Sequence, residues 1–400
     1  MKRSEFIRHG LALGFGLPFL SLLESCKKEV QTGVPQFEIN FSGKVIIVGA
    51  GAAGLTAAYL LHRNNIDFEI LEASAHIGGR VKRTDTFADF PIDLGAEWIH
   101  ARPSILAEII RNPDVNASME FITYNPQTVY TWKDNKLKKS NWMNNFYSEH
   151  KFKRDTWHGF FEKYIYGDFK NKISLNKAVS EVDYSQNQIT LKTEDNSSYT
   201  ADKIVITTPV KILQDGLISF SPGLPESKIA AINSITMGAG IKVFMEFKEK
   251  FYPDILSFSS LISDDRDGER IYYNAAFRKD AQKNILGLFT VGKNAEQYAQ
   301  LNTDQEIIDK ILAELDEVFD GKASQNYIKH VIQNWSKEPY IRGSYSSDFS
   351  NDRTRTMEDL MAPVEKKVYF AGEALSDENQ ATVHGASETA YTAIEALLKN

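Results

Sequence analysis

Residues 45–80 constrain the fold of this 400-residue chain more than any other stretch. A short apolar run, Val45 to Val48, leads into glycines at 49, 51 and 54 with the spacing G-x-G-x-x-G, and a helical pattern opens directly after them. A second strand-like run ends in Glu72, about twenty residues further on, where an acid can accept hydrogen bonds from a ribose hydroxyl. This order of elements predicts dinucleotide binding, whereas the glycines alone would also fit a structural turn.

Each glycine has its own physical role in this prediction. Gly49 permits a tight turn, Gly51 lets a pyrophosphate approach the backbone, and Gly54 lets the helix lie close to the strand. The unpaired amides at the helix start then meet the negative charge of the phosphates. The predicted fold class is therefore α/β, with a Rossmann-like domain in which helices pack against a parallel sheet.

The motifs that follow this stretch resemble those of the flavin amine oxidases, the family of monoamine, polyamine and spermine oxidases and lysine-specific histone demethylases. The matching segments are residues 78–80 (GGR), 95–100 (GAEWIH), 237–247 (MGAGIKVFMEF), 335–346 (WSKEPYIRGSYS), 368–373 (VYFAGE) and 382–386 (TVHGA). The resemblance extends from residue 44 to about residue 398 and is weakest between residues 103 and 172.

This resemblance implies FAD as the cofactor. The bond to it should be non-covalent, because Ser344 stands where monoamine oxidases carry the cysteine that attaches the flavin. The implied cofactor-binding residues are Gly49, Gly51, Ala53, Gly54, Glu72, Ala73, Gly79, Arg80, Gly95, Ala96, Glu97, Trp98, Val179, Thr208, Gly372, Glu373, Thr382, Val383 and Ala386.

Three residues are implied at the reaction site. Lys242 matches the family lysine that holds a water near flavin N5, Tyr345 matches one wall of an aromatic cage, and His100 matches a substrate-facing histidine. Pattern alone leaves other interpretations open, since Lys242 alternates with apolar residues as a surface strand lysine would. Glu97 could attract a cationic substrate tail or hydrogen-bond the backbone.

The activity implied by the resemblance is oxidation of a small-molecule amine. FAD takes a hydride from the carbon next to nitrogen, giving an imine and, with oxygen as acceptor, hydrogen peroxide. One alternative is an L-amino acid oxidase or desaturase-like enzyme of the same fold, for which Arg342 is the candidate carboxylate partner. Another is a non-catalytic flavin-binding surface lipoprotein. The net charge of −7 gives no sign of nucleic-acid binding.

The first 26 residues form a predicted signal peptide. Lys2, Arg3 and Arg8 precede a moderately apolar run over residues 11–23, and the only cysteine, Cys26, follows where a bacterial lipobox places its lipidated residue. We therefore expect an exported bacterial lipoprotein that is membrane-anchored or periplasmic. A lone cysteine and scattered histidines predict no metal site.

The chain is expected to interleave two domains. Residues 41–100, 171–215 and 336–400 are assigned to the FAD-binding domain, and residues 101–170 and 216–335 to an α+β substrate domain with a mixed or antiparallel sheet. Antiparallel strands are predicted at 241–247, 271–277 and 285–291, and helices at 303–319 and 386–398.

Overall fold

The computed structural model of the chain describes residue 35 and residues 37–139, 149–258, 268–348 and 352–400. The predicted signal peptide and Cys26 lie outside these ranges. Within them, the helices are all too short or too polar to cross a lipid bilayer.

The strands within these ranges are numbered in chain order. They are β1 (Val45–Val48), β2 (Phe68–Leu71), β3 (Arg83–Thr84), β4 (Ile92–Asp93), β5 (Phe121–Tyr124), β6 (Val129–Lys133), β7 (Lys136–Lys139), β8 (Glu149–Phe152), β9 (Ile173–Ser174), β10 (Val179–Asp183), β11 (Ile189–Thr193), β12 (Ser198–Ala201), β13 (Lys203–Ile206), β14 (Ser219–Ser221), β15 (Ile235–Met237), β16 (Gly240–Phe247), β17 (Ile255–Ser257), β18 (Arg270–Asn274), β19 (Asn284–Val291), β20 (Tyr327–Asn334), β21 (Ser346–Asp348) and β22 (Val368–Phe370).

The helices are numbered in the same way. They are α1 (Ala52–Arg63), α2 (Ile105–Ile110), α3 (Trp157–Phe161), α4 (Val210–Gln214), α5 (Glu226–Ser234), α6 (Lys293–Ala299), α7 (Asp304–Phe319), α8 (Lys322–Asn326), α9 (Arg353–Met361) and α10 (Val383–Lys399). A π-helical turn (Glu162–Tyr166) and 3₁₀ turns (Gly167–Lys172, Glu373–Leu375) complete the set.

A five-stranded parallel sheet, in the order β22-β13-β1-β2-β9, carries the glycine motif at the end of its central strand. Its strands come from three separated parts of the sequence. The residues of β1 are completely or almost completely buried, as expected for a parallel strand covered on both faces. Helices α1 and α10 pack on one face of this sheet. The α/β prediction is therefore confirmed.

The second large sheet is mixed and has seven strands, in the order β20-β16-β19-β18-β17-β6-β7. Strands β16 and β19 pair antiparallel over their full lengths, with Lys242 opposite Phe289. Helix α7 covers one face through Ile307, Ile311 and Leu315, which confirms the predicted helix. The strand predicted at 271–277 is shorter, because the chain turns after Asn274, where the Phe277 amide donates to its carbonyl.

Part of the segment assigned to the substrate domain lies elsewhere. Helices α2 and α3 share one core with β1, α1 and α10, through side chains such as Ile109 and Trp157. The apolar faces of these short helices meet the parallel-sheet layer rather than the seven-stranded sheet. These contacts tie that part of residues 101–170 to the parallel-sheet layer, and the domain boundaries stay a prediction.

Candidate functional site

A cavity of about 1380 Å³ runs between the two large sheets. It is lined by residues that follow β1 and β2 and by residues of β16, β18 and β19. This volume exceeds the several hundred cubic ångströms typical of pockets for small ligands, so it can hold a large cofactor together with a substrate.

The glycine turn lines one part of this cavity. Gly49 has a φ of +106°, a conformation that side-chain-bearing residues rarely adopt. A Cβ on Gly51 would meet no atom closer than the Gly78 carbonyl oxygen at 4.0 Å, so the space beside Gly51 is open to a ligand. Helix α1 begins at the next residue with no side-chain cap. Its first amides are thus positioned to bind phosphate oxygens.

Gly54 is the one predicted cofactor-binding residue that does not line the cavity. A Cβ at this position would lie 2.0 Å from the Gly49 carbonyl oxygen. Its contribution is therefore the close approach of α1 to the turn, which is the role predicted for it from the motif.

Glu72 lies at the end of β2 with its side chain facing the turn. One carboxylate oxygen accepts from the Ala50 amide at 2.7 Å, and the other accepts from the Ser74 amide and hydroxyl at 2.9 and 2.7 Å. An ionised carboxylate has about four acceptor positions, so one remains for a ribose hydroxyl. These contacts fit the adenosine half of a dinucleotide.

An ion pair between Arg80 and Glu373 joins distant segments along the cavity. The guanidinium donates to the Glu373 carboxylate at 2.8 Å and to the Ser344 carbonyl at 2.9 Å. Glu373 also accepts from the Ser346 hydroxyl at 2.6 Å and the Ala381 amide at 3.1 Å. These bonds fix the loop that carries Tyr345 relative to the glycine-rich turn.

Helix α10 begins at Val383, shortly after Ala381, with Thr382 as its N-cap. The Thr382 hydroxyl accepts from the Gly385 amide at 3.0 Å and donates to the Asn379 carbonyl at 2.7 Å. Thr382, Val383 and Ala386 line the cavity. The positive end of a seventeen-residue helix therefore faces the ligand space and favours negative charge there.

All the other predicted site residues line the cavity, together with those above. They are Ala53, Ala73, Gly79, Gly95, Ala96, Glu97, Trp98, His100, Val179, Thr208, Lys242, Tyr345 and Gly372. His100 is exposed, and its Nδ1 lies 3.1 Å from the Glu149 carboxylate. Arg342 is not among the lining residues, because its guanidinium pairs with Asp215 at 2.9 Å.

Lys242 is buried, and its ammonium contacts acceptors of the chain itself. Its ammonium donates to the Asp93 carbonyl at 2.8 Å, the Gly95 carbonyl at 3.1 Å and the Glu97 carboxylate at 2.7 Å. An ammonium group has three donors, and these acceptors use all of them. The lysine therefore holds residues 93–97 against the sheet, and a bridging water would have to displace one of these acceptors.

Glu97 is the centre of a buried ionic cluster that the sequence did not reveal. Besides Lys242, its carboxylate contacts the ammonium of Lys151 and accepts from the Tyr273 hydroxyl. Burial raises the pKa of a carboxyl, but the two ammonium groups outweigh it and hold the pKa of Glu97 well below its usual range. Glu97 therefore binds the chain's own lysines rather than the backbone.

Within the described ranges, no group of three or more His, Cys, Asp or Glu side chains is arranged to hold a metal ion. The space and the polar groups of the cavity fit an organic cofactor. The open space beside Gly51, the Glu72 acceptor position and the two helix N-termini match a long dinucleotide with an anionic centre.

Comparisons with known proteins agree with this geometry. The family model for flavin-containing amine oxidoreductases matches residues 161–398, and one for NAD(P)-binding Rossmann-like domains matches residues 47–110. Polyamine oxidase 1 of Zea mays is 30% identical over 229 residues, which is 57% of this chain and 45% of that protein. Human lysine-specific histone demethylase 2 is 24% identical over 86% of this chain and 52% of its own length. The chain thus spans about half the length of the curated relatives it matches.

Solved structures share the fold at low sequence identity. Cyclohexylamine oxidase from Brevibacterium oxydans IH-35A superposes with a TM-score of 0.73 at 17% identity, over 90% of this chain and 99% of that one. A putrescine oxidase bound to putrescine gives a TM-score of 0.71 at 15% identity, over 88% and 98% of the two chains. Because the family match covers more than half of the sequence, this chain belongs to the flavin-containing amine oxidoreductase family.

Proposed function

We propose that this protein oxidises a small-molecule amine. Bound FAD supplies the acceptor for a hydride from the carbon next to nitrogen and passes the electrons to oxygen or to another acceptor. The observation that carries the proposal is that one cavity joins the dinucleotide turn at Gly51 and Glu72 to the side chains of Lys242 and Tyr345. A module that only binds flavin needs Lys242 at most to hold residues 93–97, but it has no need of Tyr345 in the same cavity.

The cofactor is FAD, held without a covalent bond. The residue before Tyr345 is Ser344, whose hydroxyl donates to the Gly238 carbonyl at 3.1 Å, and it offers no thiol for attachment. Retention therefore depends on the phosphate contacts at α1, on Glu72 and on the N-terminus of α10.

The chain's own side chains position the substrate. Tyr345 and Trp98 offer aromatic faces to the cavity, and Trp98 is held in turn by edge-on contacts with Tyr124 and Tyr273. His100 and Glu149 supply polar groups to the same cavity, where they would contact the substrate's distal end. With no second cage tyrosine at Thr382, the site admits bulkier groups on that side of the amine.

The contacts of Arg342 argue against an amino acid oxidase. Such an enzyme needs a cation aimed at the substrate carboxylate, and Arg342 is instead held by Asp215 outside the cavity. Arg80 and Arg353 do line it, but they are bound by Glu373 and by Asp377 respectively. Because these arginines are already paired with carboxylates of the chain, the cavity better fits a substrate that lacks a carboxylate.

An anaerobic screen of the purified holoprotein tests the proposed function. Polyamines, monoamines and amino acids are added in turn, and the bleaching of the oxidised flavin absorbance is recorded before air is admitted. We expect at least one amine to reduce the flavin and amino acids to leave it oxidised. Reduction by amino acids alone, or by none of the compounds, would contradict the proposal.

We also propose that the chain is exported and anchored by lipid on Cys26. The support is the positive residues at 2, 3 and 8, the apolar run after them and a small residue before the cysteine. Cys26→Ala is expected to move the protein from the membrane fraction to the soluble fraction, or to block its processing. Fractionation with immunoblotting measures this, and an intact N-terminus at Met1 on the wild-type protein would contradict it.

A further inference from the structure

Two buried ammonium groups share a single carboxylate at the wall of the cavity. Glu97 contacts both Lys151 and Lys242, and the side chains of all three are at most 6% exposed. The Tyr273 hydroxyl, which also donates to Glu97, adds no charge, because burial and the carboxylate raise its pKa well above its usual value. Burial lowers the pKa of Lys151, and the adjacent Glu97 carboxylate opposes that shift. With both lysines protonated, the three side chains carry one excess positive charge.

Lys151 tolerates this burial because aromatic rings surround it. Its ammonium lies 4.6 Å from the ring centre of Trp98, 4.9 Å from that of Tyr273 and 5.3 Å from that of Tyr124. Ring faces attract cations at such distances. Trp98 and Tyr273 line the cavity while Lys151 does not, so the lysine lies behind the aromatic wall.

The nearest additional ionisable groups do not cancel the excess charge. Burial, aided by the Glu97 carboxylate, raises the pKa of Asp93 to about 8, so this side chain is mostly protonated at pH 7. Burial and the Lys151 ammonium lower the pKa of Lys279 to about 8, so it remains mostly cationic at the same pH. At pH 7 these two groups therefore leave the summed charge of the described cluster positive, and this excess is lost above about pH 8, where Asp93 ionises and Lys279 loses its proton.

We propose that Lys151 is a positioning residue whose caged ammonium, with Lys242 and Glu97, places an uncompensated positive charge behind the cavity wall and favours the uncharged form of a bound amine. The inference rests on the proposed function. This role explains why two lysines are buried beside Glu97, although one ammonium would be enough to neutralise its carboxylate. Only the uncharged amine can release a hydride, since its nitrogen lone pair must stabilise the developing positive charge.

Other charged groups also face this part of the cavity. The titratable side chains that line it or touch the cluster, among the described residues, are Asp93, Glu97, His100, Tyr124, Glu149, Lys151, Lys242, Glu269, Tyr273, Lys279 and Tyr345. The Glu149 carboxylate lies 3.1 Å from Nδ1 of His100. The substitutions below leave all of these groups in place apart from Lys151 and Glu97.

The first test is Lys151→Met in the holoprotein. Methionine has a similar length and packs well on aromatic rings, while Glu97 keeps Lys242 and Tyr273 as partners. The rate of flavin reduction by the amine identified in the screen is measured by stopped flow against pH. We expect its midpoint to rise by about one pH unit, the size expected for a unit charge roughly 10–12 Å away at an effective dielectric constant near 20.

The second test is the double variant Lys151→Met, Glu97→Gln. It removes one cation and one anion, so Lys242 again supplies an excess positive charge, and the midpoint is expected to return to the wild-type pH. Damage to packing would instead grow with the second substitution. Lys203→Met serves as a control, because this buried lysine donates to the Leu397 carbonyl and does not line the cavity.

The binding affinity of a permanently charged ligand can be measured without catalytic turnover. A trimethylammonium analogue of the substrate cannot lose a proton, so Lys151→Met should bind it about tenfold tighter than the wild type, as measured by perturbation of the flavin spectrum. Unchanged midpoints and unchanged analogue affinity in Lys151→Met, or a double variant that stays shifted, would overturn the inference. Failure of every amine to reduce wild-type flavin would instead overturn the proposed function.

Discussion

Gly51→Val is expected to weaken FAD binding severely while the polypeptide stays folded. Gly51 has φ −80° and ψ −176°, an extended conformation that valine adopts readily, and a Cβ there meets no protein atom within 4 Å apart from the carbonyl oxygen of Gly78 at that limit. The added methyl groups would instead occupy the space of the pyrophosphate. We expect affinity to fall by on the order of a hundredfold or more, which corresponds to about 3 kcal/mol.

The measurement is titration of the apoprotein with FAD, followed by flavin fluorescence and accompanied by circular dichroism. Gly223→Val is the matched control, because Gly223 is exposed and a Cβ there meets nothing within 4 Å. That variant should bind FAD as the wild type does. A Gly51→Val protein that purifies with a full complement of flavin would contradict the assignment of this turn to the phosphates.

Lys242→Met is expected to retain FAD and to slow amine oxidation strongly. The substitution removes three hydrogen bonds that hold the Asp93 and Gly95 carbonyls and the Glu97 carboxylate in place. Glu97 keeps Lys151 and Tyr273, so it is not left as an unpaired buried charge. We expect flavin reduction to slow by about 10²–10³-fold, the range for losing one preorganised polar group at a reaction site.

Stopped-flow traces of the reductive and oxidative half-reactions measure this effect separately. Lys228→Met is a suitable control, since this lysine is also buried but donates to the Asp359 and Leu360 carbonyls outside the cavity. Burial lowers the pKa of Lys228 to about 8, so this lysine is mostly cationic at pH 7. Wild-type rates in both half-reactions of Lys242→Met would make that residue an ordinary structural lysine.

The dinucleotide half of the site could be predicted because its determinants are local. The strand, the glycine turn, helix α1 and Glu72 follow one another within thirty residues, and each leaves its own pattern. Helix α7 was likewise predictable from its apolar spacing, and its capping box at Thr303 and Glu306 accounts for where it begins.

The ionic cluster could not be predicted from sequence in the same way. Glu97, Lys151 and Lys242 come from a loop and two strands that pair with different neighbours, and no spacing links them. Lys151 also lies in the stretch where resemblance to the family is weakest. The one sequence feature that points to a buried ionic group is Glu97, an acid within an otherwise apolar and aromatic run.

The interleaved parallel sheet has a consequence for the order in which the protein can acquire its cofactor. Strand β22 pairs with β13, and α10 packs on α1, so residues late in the sequence complete a layer begun by residues 45–71. Contacts between such distant segments form slowly, because a long chain must be ordered before they are made. A nascent chain lacking residues 368–399 would expose the glycine turn without Glu373 or the N-terminus of α10. We therefore expect flavin to be captured only after residues 368–399 have been synthesised and packed against the rest of the sheet.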